Sequence, residues 1–262
     1  MSVYLSGIGL CAPGLPDWPT GRAVLAGRQP YRPDESLCFD RVRLPRNEAR
    51  RASLTVRLAL QAATEALDQA GMDGRSCRAV FACSGGNTEA LDALCRGLIE
   101  PGRPISPNQF NNSVYNAPLG YWTIATGSQQ PASNVGAYDA SFSAGLLEAV
   151  ALTQMENRPV LLVAFDTPPP LALQPFRAVS TPFSMALLLE TQSLTGHQAR
   201  LQSWQIRSGA AESMLDSAME RLRLSNPAAR GLPLLRSVAI GRTCLTLPYL
   251  PHDRLEFQVE PC

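Results

Sequence analysis

The chain has 262 residues, of which 45% are hydrophobic and 17% are charged. These fractions supply enough apolar side chains for a buried core and exclude global disorder. The formal net charge of +1 gives no sequence-wide reason to expect nucleic acid or an anionic membrane as a partner. The chain contains arginine but no lysine, which excludes Schiff-base catalysis by lysine and the lysine of a P-loop.

The seven cysteines form no CxxC pair and no metal-ligand spacing, so we expect neither a metal site nor a disulfide framework. Reduced thiols are typical of a cytoplasmic protein. The amino-terminal segment lacks the basic region of a signal peptide, and the longest apolar runs are too short to cross a bilayer. We therefore expect a cytoplasmic location without membrane insertion.

Helical and strand patterns alternate along the first part of the chain. The predicted elements are strands over residues 3–11, 78–83, 133–137 and 159–165, and helices over residues 19–25, 50–70, 88–99, 115–126 and 140–157. Residues 50–70 give the clearest helix, because residues 56, 60, 63, 67 and 70 are apolar on one helical face and Gly71 follows them. Residues 27–48 and 101–113 are predicted to be loops.

A proline-rich crossing over residues 166–182 precedes the last elements. Strands are predicted over residues 183–190 and 201–206, a helix over 212–224, and one or two strands near the carboxyl terminus. This alternation favours an α/β fold in which helices are layered around a mixed, mainly parallel sheet. No linker interrupts the pattern, so residues 1–262 are expected to form a single domain.

The segment from Gly7 to Ala12 matches the GxGxxA fingerprint of dinucleotide-binding proteins. That fingerprint requires a helix to begin at once, so that its N–H groups can bind a pyrophosphate. Pro13, Gly14 and Pro16 prevent such a helix. We therefore expect no dinucleotide and no other cofactor.

Ser84 lies in the segment Ala-Cys-Ser-Gly-Gly, between a predicted strand and a predicted helix, and resembles the nucleophile elbow of serine hydrolases. In that alternative His197 or His252 would be the base. The carboxylate that orients the base would be Asp166, Asp216 or Asp253. A simpler interpretation is a strand end turning over glycines, with Cys83 in the core and His197 in an exposed turn.

The most informative region is residues 106–149, which contains SPNQFNNSVYNAPLGYWTIATG and SNVGAYDASFSAGLLEA. It predicts a polar loop, a helix, a short strand and a tight turn that opens the helix over 140–157. Ser141, Ala144, Gly145 and Ala149 keep this helix thin, so another backbone can approach it closely.

Together with VYLSGIGLCAPG, RRASLTVRLALQAATEALDQAGM and RAVFACSGG, these motifs resemble the β-ketoacyl synthases of the thiolase fold. In that family a cysteine at the amino end of the buried helix is the nucleophile, and its position lowers the thiol pKa. The resemblance places Asp139 at the cysteine position. The sequence has no cysteine between Cys95 and Cys244.

The family's lysine and its two histidine motifs are also missing, because neither histidine lies in an HGTGT-like or GHxxGAAG-like stretch. The chain is similar to chain length factors, the inactive ketosynthase-like proteins of type II polyketide and aryl polyene clusters. The resemblance covers residues 1–190, and residues 191–262 match as a reduced carboxyl-terminal part. It implies a truncated thiolase-like fold and a heterodimer with a full-length β-ketoacyl synthase. That partner would condense malonyl units delivered by an acyl carrier protein.

In such a pair the chain length factor helps to enclose the tunnel that receives the growing product, and side-chain size sets the room available. The resemblance places tunnel or interface residues at Phe110, Asn112, Val114, Tyr115, Asn116, Tyr138 and Phe142. For each of them, an ordinary core or interface position is the alternative. A purely structural subunit that stabilises the ketosynthase is the alternative for the whole chain.

Asp139 has two interpretations. As the N-cap of the helix over 140–157 it would accept backbone N–H groups and interact favourably with the helix dipole. Alternatively, its carboxylate would mimic a malonyl group and assist decarboxylation. The first interpretation is favoured.

Overall fold

The computed structural model describes residues 2–102, 105–192, 196–241 and 243–262. The strands are β1 (Ser2–Cys11), β2 (Arg78–Ala82), β3 (Ala132–Val135), β4 (Val160–Asp166), β5 (Phe183–Glu190), β6 (Ala199–Ser208), β7 (Cys244–Pro248) and β8 (Asp253–Pro261). The helices are α1 (Trp18–Leu25), α2 (Arg46–Arg51), α3 (Leu54–Ala70), α4 (Thr88–Ile99), α5 (Pro107–Ser113), α6 (Ala117–Thr126), α7 (Ser141–Glu156), α8 (Ser217–Ser225) and α9 (Leu232–Ile240). Short 3-10 turns precede α7 (Tyr138–Ala140) and α9 (Ala228–Gly231).

The strands form one mixed sheet in the order β3-β2-β4-β5-β1-β6-β8-β7. β2 pairs in parallel with β3 and β4, and the other five pairs between the described strands are antiparallel. The predicted mixed sheet is confirmed, but the prediction that it is mainly parallel is wrong. The segment that joins β4 to β5 contains no helix and does not cross over the sheet. Neighbouring strands joined in this way run antiparallel, as β4 and β5 do.

Helices cover both faces of this sheet. Alternation along β2 places Ala79 and Phe81 against α3 and α6, and Val80 and Ala82 against α7. β4 is buried along its whole length, as a central strand with helices on both faces must be. The two apolar cores on either side of the sheet therefore fix the carboxyl ends of β2 and β4.

The predicted helix over 50–70 is divided in two. Ala52 is extended, with ψ of 121°, and ends α2, whereas α3 begins after Ser53. The Ser53 hydroxyl accepts the N–H of Val56 at 3.3 Å, which is an N-cap interaction. The predicted end is confirmed, because Gly71 adopts the left-handed conformation with φ of 65°.

The two glycines of the GxGxxA segment serve the packing of β1 against α3. A Cβ on Gly7 would lie 2.0 Å from the carbonyl oxygen of Ala66, and one on Gly9 would lie 1.9 Å from that of Ala62. No side chain fits at either distance. This close approach explains the motif without a nucleotide.

Two helices lie where the sequence did not predict them. α5 occupies part of the predicted loop over 101–113, of which residues 103–104 lie outside the described residues. It begins after Ser106, whose hydroxyl accepts the N–H of Gln109 at 3.5 Å. α9 packs its buried apolar residues into the same core as α1 and α7.

Candidate functional site

Three strand ends meet at one edge of the sheet. β2, β3 and β4 are parallel neighbours, so their carboxyl ends lie side by side. Cys83 and Ser84 follow β2, Asp166 ends β4, and the turn after β3 carries Tyr138 and Asp139 into α7. The topology therefore brings together the two regions that the sequence analysis treated as separate candidates.

Asp166 is the centre of a buried hydrogen-bond cluster and is only 2% exposed. Its Oδ1 accepts the hydroxyl of Ser84 at 2.6 Å, the N–H of Ser84 at 2.9 Å and the thiol of Cys83 at 3.4 Å. Burial raises the pKa of Asp166 above its ordinary value, against the lowering effect of the Ser84 bonds. The cluster ties the end of β2 to the end of β4.

Cys83 is fixed in the same cluster. Its sulfur accepts the N–H of Gly86 at 3.1 Å, and its side chain is almost completely buried. Burial and the neighbouring Asp166 raise the pKa of the Cys83 thiol well above its ordinary value. Because the thiolate is the nucleophilic form of cysteine, Cys83 is poorly suited to attack an acyl group.

Tyr115 links this cluster to β3. Its hydroxyl donates to the carbonyl oxygens of Cys83 and Val135, the latter at 2.7 Å. The ring is 36% exposed, so one side of it faces solvent. A Cβ on Gly136 would lie 2.7 Å from the Tyr115 hydroxyl oxygen, so a larger residue there would displace the tyrosine ring.

Asp139 lies between two arginines. Arg177 donates to Oδ1 at 2.6 Å and Arg230 donates to Oδ2 at 3.0 Å. The N-cap of α7 is Ala140, without a side-chain hydrogen bond, so the predicted capping role of Asp139 is wrong. The reason is that the 3-10 turn over Tyr138–Ala140 moves the helix start past Asp139, and the two guanidinium groups then bind the carboxylate.

Tyr138 adopts a left-handed conformation with φ of 52°, which is costly for a bulky side chain. Its ring is stacked by the guanidinium of Arg177, whose Cζ lies 3.8 Å from the ring centroid. Arg177 therefore contacts both Tyr138 and Asp139 in the turn before α7. Such strained positions concentrate at functional sites.

The structure contradicts the pairing of Ser84 with His197. The Nε2 atom of His197 lies 3.0 Å from a carboxylate oxygen of Glu190, at the end of β5. The start of β5 is the end that pairs with Asp166. Seven strand residues separate the two ends, which corresponds to roughly 20 Å. His197 is also buried, at 8% exposed, and the predicted exposed turn is wrong.

The other proposed members of a hydrolase triad have different surroundings. His252 is exposed in the turn between β7 and β8. Asp216 caps α8 by accepting the N–H groups of Ala218 and Met219, both at 2.9 Å. Asp253 begins β8. Ser84 donates directly to Asp166, with no imidazole between them.

Four of the predicted tunnel or interface residues lie along α5 and the turn into α6. Phe110 is 59% exposed and Val114 is 43% exposed. Tyr115 is partly exposed, as described above, and Asn116 is exposed. Of these four residues, Tyr115 has a hydrogen bond to the edge strand β3, through the carbonyl oxygen of Val135.

The remaining predicted residues are placed differently. The Nδ2 atom of Asn112 is buried and donates to the carbonyl oxygens of Arg51 and Asn108, at 3.1 and 3.0 Å, which fixes α5 against α2. Phe142 is fully buried at the start of α7, beside Gly231. Tyr138 is 62% exposed and belongs to the Asp139 site.

Sequence reasoning did not find the arginines of this site. Arg177 comes from the proline-rich segment between β4 and β5, and Arg230 from the 3-10 turn before α9. They are 38 and 91 residues from Asp139 along the chain. No local sequence pattern marks either arginine as a site residue.

Within the described residues, no group of three or more His, Cys, Asp or Glu side chains is arranged to hold a metal ion. None of the described helices combines the length and hydropathy that a bilayer-spanning segment requires.

The sequence model of the family described as "Beta-ketoacyl synthase, N-terminal domain" matches residues 26–245. The chain therefore belongs to this family. The matched range extends beyond residue 190, where the resemblance found in the sequence became weak. No curated protein sequence matches the chain.

Solved structures similar to the chain include the ketosynthase ApeO in complex with its chain length factor ApeC from Xenorhabdus doucetiae. The identity is 25% and the TM-score 0.75, and the match covers 98% of this chain and 99% of that chain. The ishigamide ketosynthase/chain length factor is 14% identical with a TM-score of 0.74, and the match covers 100% of this chain and 99% of that chain. AntDE:AntF, a type II polyketide synthase acyl-carrier protein in complex with its ketosynthase, is 11% identical with a TM-score of 0.77 at the same coverage. The thiolase-like ketosynthase fold predicted from the sequence is confirmed.

Proposed function

We propose that this chain is a non-catalytic chain length factor, a single ketosynthase-like domain over residues 1–262 that pairs with a full-length β-ketoacyl synthase. The observation that carries the proposal is Asp139. It occupies the position that the family resemblance assigns to the nucleophilic cysteine, and Arg177 and Arg230 bind its carboxylate. A carboxylate held by two cations at this position cannot replace a thiolate in accepting an acyl chain.

The neighbouring side chains offer no substitute nucleophile. Cys83 is buried with a raised pKa, and the Ser84 hydroxyl donates its proton to the Asp166 carboxylate instead of to a histidine. Condensation therefore requires a second chain that brings the cysteine, the histidines and the lysine.

The partner we propose is a full-length β-ketoacyl synthase. The match to a chain of the ApeO–ApeC complex supports this choice, because it covers 98% of this chain and 99% of that chain. So does β3, since it is the last strand of the sheet and has no neighbouring strand on one side within the described residues. Phe110 and Val114 also expose apolar area to solvent, as side chains covered in a complex do.

In this complex the exposed side chains of α5 would border the space that receives the growing chain. Phe110, Val114 and Tyr115 then influence product length through their size, because a packed wall resists additional methylenes by about 1–3 kcal/mol. Acyl carrier protein would deliver malonyl units to the ketosynthase partner. All seven cysteines are free, which fits a complex in the reducing cytoplasm.

The test is to co-express the chain with a ketosynthase encoded beside it, purify the complex, and measure product length by mass spectrometry after adding malonyl-loaded carrier protein. Wild type should co-purify in equal amounts with the ketosynthase. Phe110→Ala should lengthen the product and Val114→Phe should shorten it. Met155→Ala is the matched control, because Met155 is 82% exposed near the far end of α7.

Unchanged product length in both variants, with the complex intact, would leave only the structural-subunit alternative. Covalent acyl loading and extension by the purified chain alone would overturn the non-catalytic assignment.

A further inference from the structure

The turn before α7 borders a cleft with a volume of about 470 Å³, a size suited to a small organic molecule. Its walls come from the Asp139 turn, from Arg230 and from the segment around the β7–β8 turn. The lining includes Asp139, Arg230, Arg254 and the segment from Pro248 to Pro251. Most of the lining residues are apolar or aromatic.

Positive charge exceeds negative charge at this cleft. Arg230 and Arg254 line it, Arg177 binds Asp139 from behind, and Asp139 is the one carboxylate among the lining residues. The nearby Arg223 is neutralised separately by Glu220, at 2.6 and 2.8 Å. The cleft lining thus carries two guanidinium groups and one carboxylate, and that carboxylate also binds Arg177.

The arginines also keep unused hydrogen-bond donors. The Nε atoms of Arg230 and Arg254 are buried, and neither donates to an acceptor within the described residues. A buried guanidinium N–H without an acceptor is costly. The pKa of Arg230 is lowered by burial and by the neighbouring cations Arg223, Arg177 and Arg254, which Asp139 offsets only in part. An anion in the cleft would offset the repulsion among these cations, and it would bind the guanidinium atoms that face the cleft instead of the buried Nε atoms.

We infer that this cleft binds an organic monocarboxylate with a short apolar tail, whose carboxylate is received by Arg230 and Arg254 and whose tail packs against Pro248 to Pro251. Arginine guanidinium groups bind carboxylates, and Arg230 already donates from Nη2 to one oxygen of Asp139. A phosphate dianion would be more strongly repelled by Asp139 and would gain nothing from the apolar walls. This inference goes beyond the proposed function and does not require the ketosynthase.

Asp139 should oppose binding of this ligand. Its carboxylate competes with the ligand for Arg230 and repels it at short range. Removing that charge should therefore strengthen binding instead of weakening it. A merely structural role for Asp139 would predict loss of stability and no change in binding.

The experiment measures binding of hexanoate to the purified full chain by calorimetry, with hexan-1-ol, acetate and inorganic phosphate as comparison probes. Hexanoate should bind most tightly of the four. Asp139→Asn should tighten hexanoate binding roughly tenfold, and Arg230→Gln or Arg254→Gln should weaken it at least about tenfold, as expected for a charge-assisted hydrogen bond. Arg207→Gln is the control, because Arg207 pairs with Glu256 on the exposed part of β6 and should leave binding unchanged.

Three results would overturn the inference: equal binding of hexanoate and hexan-1-ol, tighter binding of phosphate than of hexanoate, or unchanged hexanoate affinity in a folded Asp139→Asn variant. The two single-arginine variants and the gain expected from Asp139→Asn keep the test decisive if one variant fails to fold. None of these measurements involves the ketosynthase partner, so their failure is distinct from failure of the proposed function.

Discussion

The two ends of the predicted tunnel region have opposite characters. At the start of α7, the polar groups of Tyr138 and Asp139 are bound within the chain by Arg177 and Arg230, and Phe142 is buried. On α5 and just after it, Phe110 and Val114 expose apolar surface. In the first region ion pairs within the chain hold the carboxylate, whereas the second region presents apolar side chains to solvent. Under the proposed function, the position of the missing nucleophile is held by ion pairs within the chain, and the exposed apolar side chains belong to the surface that meets the partner.

The same substitution in the two regions should give the largest contrast. Phe142→Ala removes a fully buried ring and should lower the free energy of unfolding by about 3–5 kcal/mol. Phe110→Ala, at 59% exposed, should change it by less than about 0.5 kcal/mol in the isolated chain. Urea denaturation of both variants measures the difference. A large loss from Phe110→Ala in the isolated chain would show that α5 is already part of a core.

Removing the carboxylate of Asp139 tests whether the first region is held by its ion pairs. Asp139→Ala leaves Arg177 and Arg230 close together without a counter-charge, so we expect a loss of about 1–3 kcal/mol in the free energy of unfolding. The control is Asp92→Ala, which breaks the exposed pair with Arg96 and should cost less than about 0.5 kcal/mol. Equal effects would mean that the arginines do not depend on Asp139.

Asp166 should make stability depend on pH in a defined direction. Burial raises its pKa in the folded state above the ordinary value of 3.8, so the folded chain binds the proton more tightly than the unfolded chain. Its contribution to stability should therefore fall as the pH rises from about 3.8 toward the raised value, by at most about 1.4 kcal/mol per pH unit.

Asp166→Asn carries no titratable group at this position and should remove that part of the fall. Comparing urea midpoints of wild type and the variant between pH 4 and pH 8 isolates the effect. The interpretation fails if the two curves remain parallel over this range.

Tyr115 follows α5 and bonds to the ends of β2 and β3, and its substitution should have the smallest effect apart from the exposed positions Phe110 and Asp92. Tyr115→Phe removes the hydroxyl that bridges the carbonyl oxygens of Cys83 and Val135, so we expect a loss of about 0.5–1.5 kcal/mol. Faster amide hydrogen exchange in β3, with little change in the α3 core, would confirm that the loss is local. Unchanged exchange in β3 would show that solvent replaces the bridge at no cost.

Much of the fold could be predicted from the sequence, because local periodicity and end signals determine it. The apolar face of α3 and its end at Gly71 were predicted, as were the buried strands β4 and β5. The missed helix α5 is short and rich in asparagine, so its composition is typical of a loop. The strand directions were also missed, since whether a connection crosses the sheet depends on packing that no local pattern records.

Part of the candidate site could likewise be predicted from the sequence, and part could not. The resemblance placed Asp139 at the lost nucleophile position, and Ser84 was found from the glycine-rich strand end. Its contact with Asp166 emerged only from the parallel pairing of β2 and β4, which brings residues 82 positions apart to one sheet edge. The assignment of His197 to Ser84 failed because the antiparallel course of β5 carries Glu190 and His197 to the opposite edge.

The sequence by itself determined the family, the absence of a cysteine at residue 139 and the absence of lysine, because residue identity and local motifs are sufficient for these conclusions. Tertiary structure alone decided that Asp139 is bound by two arginines instead of capping α7, and that a cleft with excess positive charge lies beside it. The physical reason is that electrostatic partners are chosen by distance in space. Arg177, Arg230 and Arg254 reach Asp139 or its cleft from three separate segments that only the folded sheet brings together.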